Sequence, residues 1–162
     1  MTTLTVSLVT VAALGSATFG GAMYAFSAFV MHGLDRTPAR SAVEAMQQIN
    51  VSAPRPPLVV VMVGTTLVSL AVSVLAVVDL ARGSGGAAPW LALLGCAGFL
   101  ASIVITGGFH IPRNNALAGV DAAGPDAGAA WAAYSGPWQR GNHVRAVVAL
   151  AGAAFLMLSL TA

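Results

Sequence analysis

Lysine is absent from this sequence, and only 7% of its 162 residues are charged. Soluble domains carry roughly 25% charged residues, whereas this chain has a mean hydropathy of +0.84. The composition therefore predicts a membrane protein. Its basic charge comes from seven arginines, set against five acidic residues. Because charge is so scarce, no basic surface for nucleic acid is expected, and nucleic acid is excluded as a partner.

Cysteine and the common nucleotide-binding motifs are scarce or missing as well. The one cysteine, Cys96, lies inside an apolar run and can form no disulfide within the chain. We expect it to be a small buried hydrophobic residue. The sequence contains no phosphate-binding loop, dinucleotide fingerprint or nucleophile elbow. It therefore offers no support for the enzyme classes that these motifs mark.

Long apolar runs are what the sequence has in abundance. A membrane-spanning helix needs about 20 mostly apolar residues, and four segments meet this requirement: 4–29, 57–78, 90–109 and 144–161. Backbone groups in lipid must be satisfied within the segment, so these spans are predicted to be helices. The first run lacks the basic start of a cleaved signal peptide. We predict an all-α fold, a four-helix transmembrane bundle formed by residues 1–162 as a single domain.

Two long polar loops, 32–56 and 110–142, fall on the same side of such a bundle, and both termini fall on the other side. Arg82 is the one arginine on the side of the termini. The loop side carries Arg36, Arg40, Arg55, Arg113, Arg140 and Arg145. The positive-inside rule then predicts that both long loops face the cytoplasm. The expected location is a bacterial-type cytoplasmic membrane. The lipid bilayer is thus the first expected partner, and a homo-oligomer is left open.

The first long loop has the pattern of a short amphipathic helix. Thr37-Pro38 offers an N-cap followed by a proline in the first turn, and Ser41 and Glu44 have the spacing of a capping box. One face of the predicted helix, at i, i+3, i+4 and i+7, consists of Val43, Met46, Gln47 and Asn50. The two amides on this face indicate either a pocket wall or simple exposure to water.

The second long loop ends in the segment WAAYSGPWQRGNHVR, residues 131–145. Its Gly136-Pro137 pair is predicted to interrupt any helix, with Pro137 beginning the last one. An aromatic belt at the membrane surface with a snorkelling arginine accounts for the tryptophans and the tyrosine. It does not account for Asn142-His143, which would be costly in lipid without partners. We therefore favour a functional site in this segment.

The three histidines and one glutamate of the loop side raise the alternative of a metal site. Such a site would draw on His32, His110, His143 and Glu44. No pair of them has a spacing that preorganises two ligands on one helix. No cysteine is near enough to contribute. The sequence-based prediction is therefore a protein without a bound metal or other cofactor.

Four stretches together resemble a known family. They are YAFSAFVMHGL (24–34), AMQQIN (45–50), HIPRNNALA (110–118) and WAAYSGPWQRGNHVR (131–145). In this order they resemble the anthrone oxygenase-like membrane proteins, the family of domain of unknown function 1772. The resemblance covers nearly the whole chain. His32 departs from the pattern, in which proline usually precedes the Gly-Leu pair.

The resemblance implies a small integral membrane oxygenase that oxidises an apolar polycyclic or phenolic substrate with O2 at a pocket near the membrane edge. A base would remove an acidic CH2 proton, and the resulting anion would react with oxygen without a cofactor. His143 is the first candidate for the base and His110 the second, because histidine exchanges protons near neutral pH. Asn114, Asn142 and Arg145 are expected to donate hydrogen bonds to the developing oxyanion.

The substrate in this interpretation is an apolar aromatic molecule that reaches the pocket sideways from the lipid. Trp131, Tyr134 and Trp138 are expected to cover its flat rings. The full set of predicted substrate contacts is Tyr24, Gln47, Asn50, Asn114, Asn115, Trp131, Tyr134 and Trp138. The alternative is a non-catalytic membrane subunit or small transporter, in which the same loop residues contact a partner.

Overall fold

The computed structural model describes residues 2–83 and 86–162. Within these residues the chain is helical and contains no strand. The helices are α1 (Thr3–Leu34), α2 (Ala39–Ser52), α3 (Leu58–Ala81), α4 (Ala88–Ala118) and α5 (Ala127–Ser159). The predicted fold class is confirmed: an all-α four-helix bundle with a short amphipathic helix, α2, in the first polar loop.

The four long helices form a ring in which α1 and α4 each pack against both α3 and α5. Their outward faces are apolar. The side chain of Val104 on α4 is 73% exposed, and that of Val147 on α5 is 63% exposed. In water such a surface would be an aggregation liability, whereas in lipid it is the favourable solution. All four long helices have the length and hydropathy of membrane spans. The chain is an integral membrane protein.

Glycine allows a close approach between the backbones of α4 and α5. A Cβ atom added to Gly152 would lie 2.7 Å from the carbonyl oxygen of Gly95 and 3.0 Å from the backbone nitrogen of Phe99. A Cβ atom on Gly98 would lie 2.7 Å from the carbonyl oxygen of Val148. Small residues at such contacts let helix backbones pack tightly in membranes. This contact fixes α5, which supplies part of the cavity wall described below, against α4.

The prediction that Gly136-Pro137 interrupts any helix is wrong, because α5 continues through Pro137. Proline removes its own N–H and weakens one turn, but membrane helices tolerate this loss when their neighbours hold the segment. Here the residues on either side of Pro137 are held by the buried side chains of Tyr134 and Trp138. Much of the predicted second loop is therefore helix. In the same way, α1 and α4 extend past the predicted ends of their spans on the loop side.

The predicted capping of α2 is also wrong. The helix begins at Ala39, one residue later than Thr37-Pro38 would place it, and Pro38 occupies the N-cap position without a side-chain cap. Ser41 then lies inside the first turn, where it cannot serve as the N-cap. Glu44 instead accepts a hydrogen bond from Arg40 Nε at 2.9 Å, in an exposed ion pair one helical turn apart.

A π-helical turn occurs in α1 at Phe26–Val30 and another in α4 at Thr106–His110. In each, a backbone N–H donates to the carbonyl five residues back: Met31 to Phe26, and Ile111 to Thr106. Such turns shift the phase of every following side chain and are frequent at functional sites. The two turns lie beside the same cavity, because Phe26, Thr106 and His110 all line it.

Candidate functional site

A cavity of about 440 Å³ lies in the loop-side half of the bundle. Its walls come from α1, α2, the start of α3, the middle of α4 and α5. Most of the lining is apolar and includes Phe19, Met23, Phe26, Met46, Ile49 and Met62. The polar lining consists of Asn50, Thr106, His110, Asn114, Asn115, Trp138 and Arg145. An apolar cavity with a few convergent polar groups is the usual form of a small-molecule site.

His110 lies in the cavity wall and is only 1% exposed. The edge of its ring meets the Trp138 ring at a centroid distance of 5.0 Å. Neither ring nitrogen makes a hydrogen bond of 3.5 Å or less with the described residues, although the backbone of Gly141 lies close to the ring. Buried polar atoms are nearly always satisfied by protein or water, so an orphaned imidazole calls for an explanation. A molecule inside the cavity is the natural partner for these nitrogens.

Arg145 lines the cavity from α5 and is 6% exposed. Its Nε and Nη2 atoms donate to Asn142 Oδ1 at 3.2 and 2.6 Å, and its Nη1 donates to Thr106 Oγ1 at 3.3 Å. The guanidinium carbon lies 5.5 Å from the centre of the Trp138 ring. These contacts orient the cation, but all are made with neutral groups.

Asn142 lies behind Arg145 and is fully buried. Its Nδ2 atom donates to the Met23 carbonyl at 2.7 Å and to Ser27 Oγ at 2.8 Å. Since its oxygen accepts from Arg145, both ends of the amide are occupied by the protein. The structure therefore does not place Asn142 in the cavity wall. It joins α5 to α1 and holds Arg145 in place.

Asn114 lines the cavity from the last part of α4. Its Oδ1 atom accepts hydrogen bonds from Tyr134 Oη and Trp138 Nε1, both at 2.9 Å. Tyr134 thus lies behind Asn114, while Trp138 is itself part of the wall. Asn50, on α2, also lines the cavity and lies close to Tyr134, and its buried Nδ2 atom makes no hydrogen bond of 3.5 Å or less with the described residues. The cavity wall brings together four of the predicted substrate contacts: Asn50, Asn114, Asn115 and Trp138.

His143 and Tyr24 do not reach the cavity. Both side chains are exposed on the outer surface, Tyr24 by 60%. Successive residues of an α-helix are about 100° apart around its axis. Because Asn142 and Arg145 point inward, His143 must point outward, and Tyr24 is displaced in the same way from its buried neighbour Met23. The structure thus places His110, the second candidate base, where His143 was expected.

Gln47 and Trp131 connect elements instead of lining the cavity. Gln47 Nε2 donates to the carbonyls of Leu117 and Val120, each at 2.9 Å, and so ties α2 to the end of α4. Trp131 Nε1 donates to Asp35 Oδ1 at 2.9 Å, which joins α5 to the segment after α1. Both residues support the loop-side wall from outside.

A match to a family model shows which protein family the chain belongs to. The model of the family described as anthrone oxygenase matches residues 57–155, more than half of the chain. The chain belongs to the anthrone oxygenase family. The matched region includes the cavity residues His110, Asn114 and Arg145. Comparisons with curated proteins and with solved structures gave no match. The family resemblance seen in the sequence is thus confirmed.

The alternative metal set of the sequence analysis is dispersed in this family member. His110 is buried in the cavity wall, whereas His32, His143 and Glu44 are exposed. His32 Nε2 lies 3.2 Å from Gln139 Nε2 on the loop side. Within residues 2–83 and 86–162, no three His, Cys, Asp or Glu side chains are grouped closely enough to hold a metal ion. The four residues therefore do not form one site.

Ser27 and Thr106 are site-supporting residues that the sequence analysis missed. Ser27 accepts from Asn142, and Thr106 accepts from Arg145. Both lie in the π-helical turns, so their orientation follows from a local change of helical phase. Pro112, which lacks a backbone donor close to the second turn, is the only signal for it in the sequence. The turn in α1 has no comparable signal.

Proposed function

We propose that this member of the anthrone oxygenase family oxidises an apolar polycyclic or phenolic substrate with O2 inside the cavity. The observation that carries the proposal is His110, a buried imidazole that lines a largely apolar cavity together with Arg145. Its two ring nitrogens make no hydrogen bond of 3.5 Å or less with the described residues. A base must stand within hydrogen-bond reach of the proton that it removes. Of the three histidines, His110 alone lines the cavity.

The proposed reaction begins when His110 takes a proton from an activated CH2 group of the substrate. The electron pair of the broken C–H bond is delocalised onto the carbonyl oxygen attached to the ring system. This oxygen accepts hydrogen bonds from Arg145 and Asn114. The anion passes electrons to O2 and forms a C–O bond, which gives a hydroperoxide after the proton returns from His110. Loss of water leaves a carbonyl group. Overall, CH2 and O2 become C=O and H2O, with dioxygen as the oxidant.

The shape and position of the cavity support an aromatic hydrocarbon-like substrate. Its volume of about 440 Å³ lies within the usual range of roughly 300–1,000 Å³ for small-molecule sites. Phe26 and Trp138 offer flat faces for stacked rings. The lining also includes Val59 on α3 and the exposed Ile111 on α4, both on spanning helices. We propose that a substrate dissolved in the bilayer enters the cavity between these helices.

Oxygen consumption by the detergent-purified protein tests the proposal. After treatment with a chelator, the parent should consume O2 when a hydroxylated anthrone is added. The His110→Ala and His110→Gln variants should lower turnover about 10²–10⁴-fold, the usual contribution of a positioned base. His143→Ala is the matched control: this histidine is exposed outside the cavity, so turnover should be unchanged.

Three outcomes would contradict this scheme. Full turnover in both His110 variants would remove His110 as the base. Activity that disappears on chelation and returns with iron or copper would replace the cofactor-free reaction with a metal-dependent one. A parent that binds anthrones but never turns them over would favour the alternative, a non-catalytic membrane subunit or small transporter.

We also propose that the cavity opens on the cytoplasmic side of a bacterial-type cytoplasmic membrane. The support is the arginine distribution: leaving aside Arg145, which is buried in the cavity wall, five of the other six arginines lie on the side of α2 and of the connection between α4 and α5. Arg82, at the end of α3, is the exception. Positive residues in short loops favour the cytoplasmic side.

A further inference from the structure

We infer that the cavity binds its substrate as an anion, an aromatic carboxylate or an ionised phenol, whose charged oxygen pairs with Arg145. The inference deepens the proposed function and rests on it in one respect, since it assumes that the substrate occupies this cavity. It goes further by assigning the charge of the substrate before any chemistry begins. A neutral polycyclic ring would fit the volume of the cavity equally well.

The charge of Arg145 has no counterpart in the protein. The ion pair found among the described residues joins Arg40 to Glu44 on the surface. The sequence has five acidic residues, and the side chain of none of them lies within 4.0 Å of the Arg145 nitrogens. They are Asp35, Glu44, Asp79, Asp121 and Asp126. A buried cation is costly unless it is paired, and charged groups at membrane depth usually mark a functional site with a partner.

The hydrogen bonds of Arg145 leave two donors free. A guanidinium group has five N–H donors. Asn142 accepts one from Nε and one from Nη2, and Thr106 accepts one from Nη1. One N–H therefore remains on each terminal nitrogen. Two such donors match the two oxygens of a carboxylate, or a phenolate oxygen beside a carbonyl.

Other polar atoms of the same cavity make no hydrogen bond of 3.5 Å or less with the described residues. The Nδ2 atom of Asn50 is a buried donor, and the two ring nitrogens of His110 are buried as well. A neutral hydrocarbon would leave all of them unsatisfied at a cost of about 1–3 kcal/mol per group. A ligand that carries an anionic oxygen and a second polar group would satisfy them together with Arg145.

Binding of a matched pair of ligands tests the inference without any turnover. The probes are anthracenecarboxylate and anthracenecarboxamide, which share their shape and differ in charge. Titrated into the purified parent in an uncharged detergent, the carboxylate should bind roughly tenfold to a hundredfold more tightly, the range expected for a charge-assisted hydrogen bond. A dinitronaphthol and its methyl ether form a second pair, which shows whether a phenolate is accepted as well as a carboxylate.

Substitutions of Arg145 test whether this residue causes the preference for the carboxylate. Arg145→Gln should abolish the preference for the carboxylate while the carboxamide still binds, which also shows that the cavity is intact. Arg145→Lys should retain part of the preference, because it keeps the charge but loses the paired donors. The control is Arg140→Gln, an exposed arginine on the same helix that should leave the preference unchanged.

Equal affinity of the parent for both members of each pair would overturn the inference, even if the Arg145 variants fail to fold. A preference that survives in Arg145→Gln would overturn it too. Oxygen uptake separates this result from the proposed function. Charge-selective binding without turnover would leave the anion site standing and refute the reaction, whereas turnover with equal binding would refute only the anion site.

Discussion

Asn114 shows how one side chain can support both the fold and the cavity. Its amide oxygen accepts from two donors, Tyr134 Oη and Trp138 Nε1, and both aromatic residues are buried. These are the hydrogen bonds of 3.5 Å or less that the two donors make within the described residues. The neighbouring Asn115 also borders the cavity, but its side chain is exposed. Two adjacent asparagines therefore have different environments in the same turn of α4.

We predict that Asn114→Ala lowers the free energy of unfolding by about 2–3 kcal/mol, because two buried donors lose their acceptor. Asn115→Ala is the matched control and should change stability by less than about 0.5 kcal/mol, as is usual for exposed positions. Denaturant unfolding in detergent micelles, followed by tryptophan fluorescence, measures both values. If the two variants prove equally stable, the hydrogen bonds of Asn114 do not contribute as described.

The contact between α4 and α5 determines where the cavity residues of these two helices lie. Gly152 faces the backbone of α4, and a Cβ atom there would lie 2.7 Å from the Gly95 carbonyl oxygen. Backbone atoms cannot move aside as a flexible side chain can. Gly136, on the same helix, has open space where its Cβ atom would be.

Gly152→Ala should therefore destabilise the protein by about 1–3 kcal/mol, the usual cost of overpacking a close contact. Gly136→Ala should be neutral or slightly stabilising, since alanine favours helix more than glycine does. Thermal unfolding of the two variants in the same detergent makes the comparison. A smaller loss in Gly152→Ala than in Gly136→Ala would show that α4 and α5 are not packed as closely as described.

The π-helical turns act at the scale of the element as well. Each adds a local change of phase to a long helix, so the residues before and after it do not follow one continuous α-helical face. In α4 the turn ends at His110 and places it inward next to Trp138. In α1 the turn contains Ser27, which accepts from Asn142. The Thr106 contact to Arg145 and the Ser27 contact to Asn142 therefore both depend on these turns.

For the whole molecule, the strongest prediction concerns orientation. With four spanning helices, both chain ends lie on one side of the membrane, and the connection between α4 and α5 lies on the other. Reporter fusions after Ala162 should report the non-cytoplasmic side, and a reporter inserted at Gly124 should report the cytoplasm. The physical reason is the excess of arginine on the loop side. The reverse pattern would overturn the orientation and leave the bundle intact.

The number and type of the spanning helices were determined by the sequence alone. Whether an apolar run is long enough to cross a bilayer is a local property, and charges such as Asp79 and Arg82 mark an end of a run directly. The amphipathic face of α2 was readable for the same reason, because its period is contained in a single segment. The family was recognisable because its motifs are short, continuous stretches.

The composition of the cavity was decided only by the tertiary structure. The sequence places His110 and His143 alike at the ends of apolar runs, and only the packing of α5 turns one of them outward. Asn142 was a candidate hydrogen-bond donor to the oxyanion, but in the fold its amide donates to the Met23 carbonyl and to Ser27 Oγ. Which face of a helix points inward depends on neighbours distant in sequence and on π-helical turns. A helical pattern identifies polar residues at the membrane edge, but long-range packing selects which of them meet around the cavity.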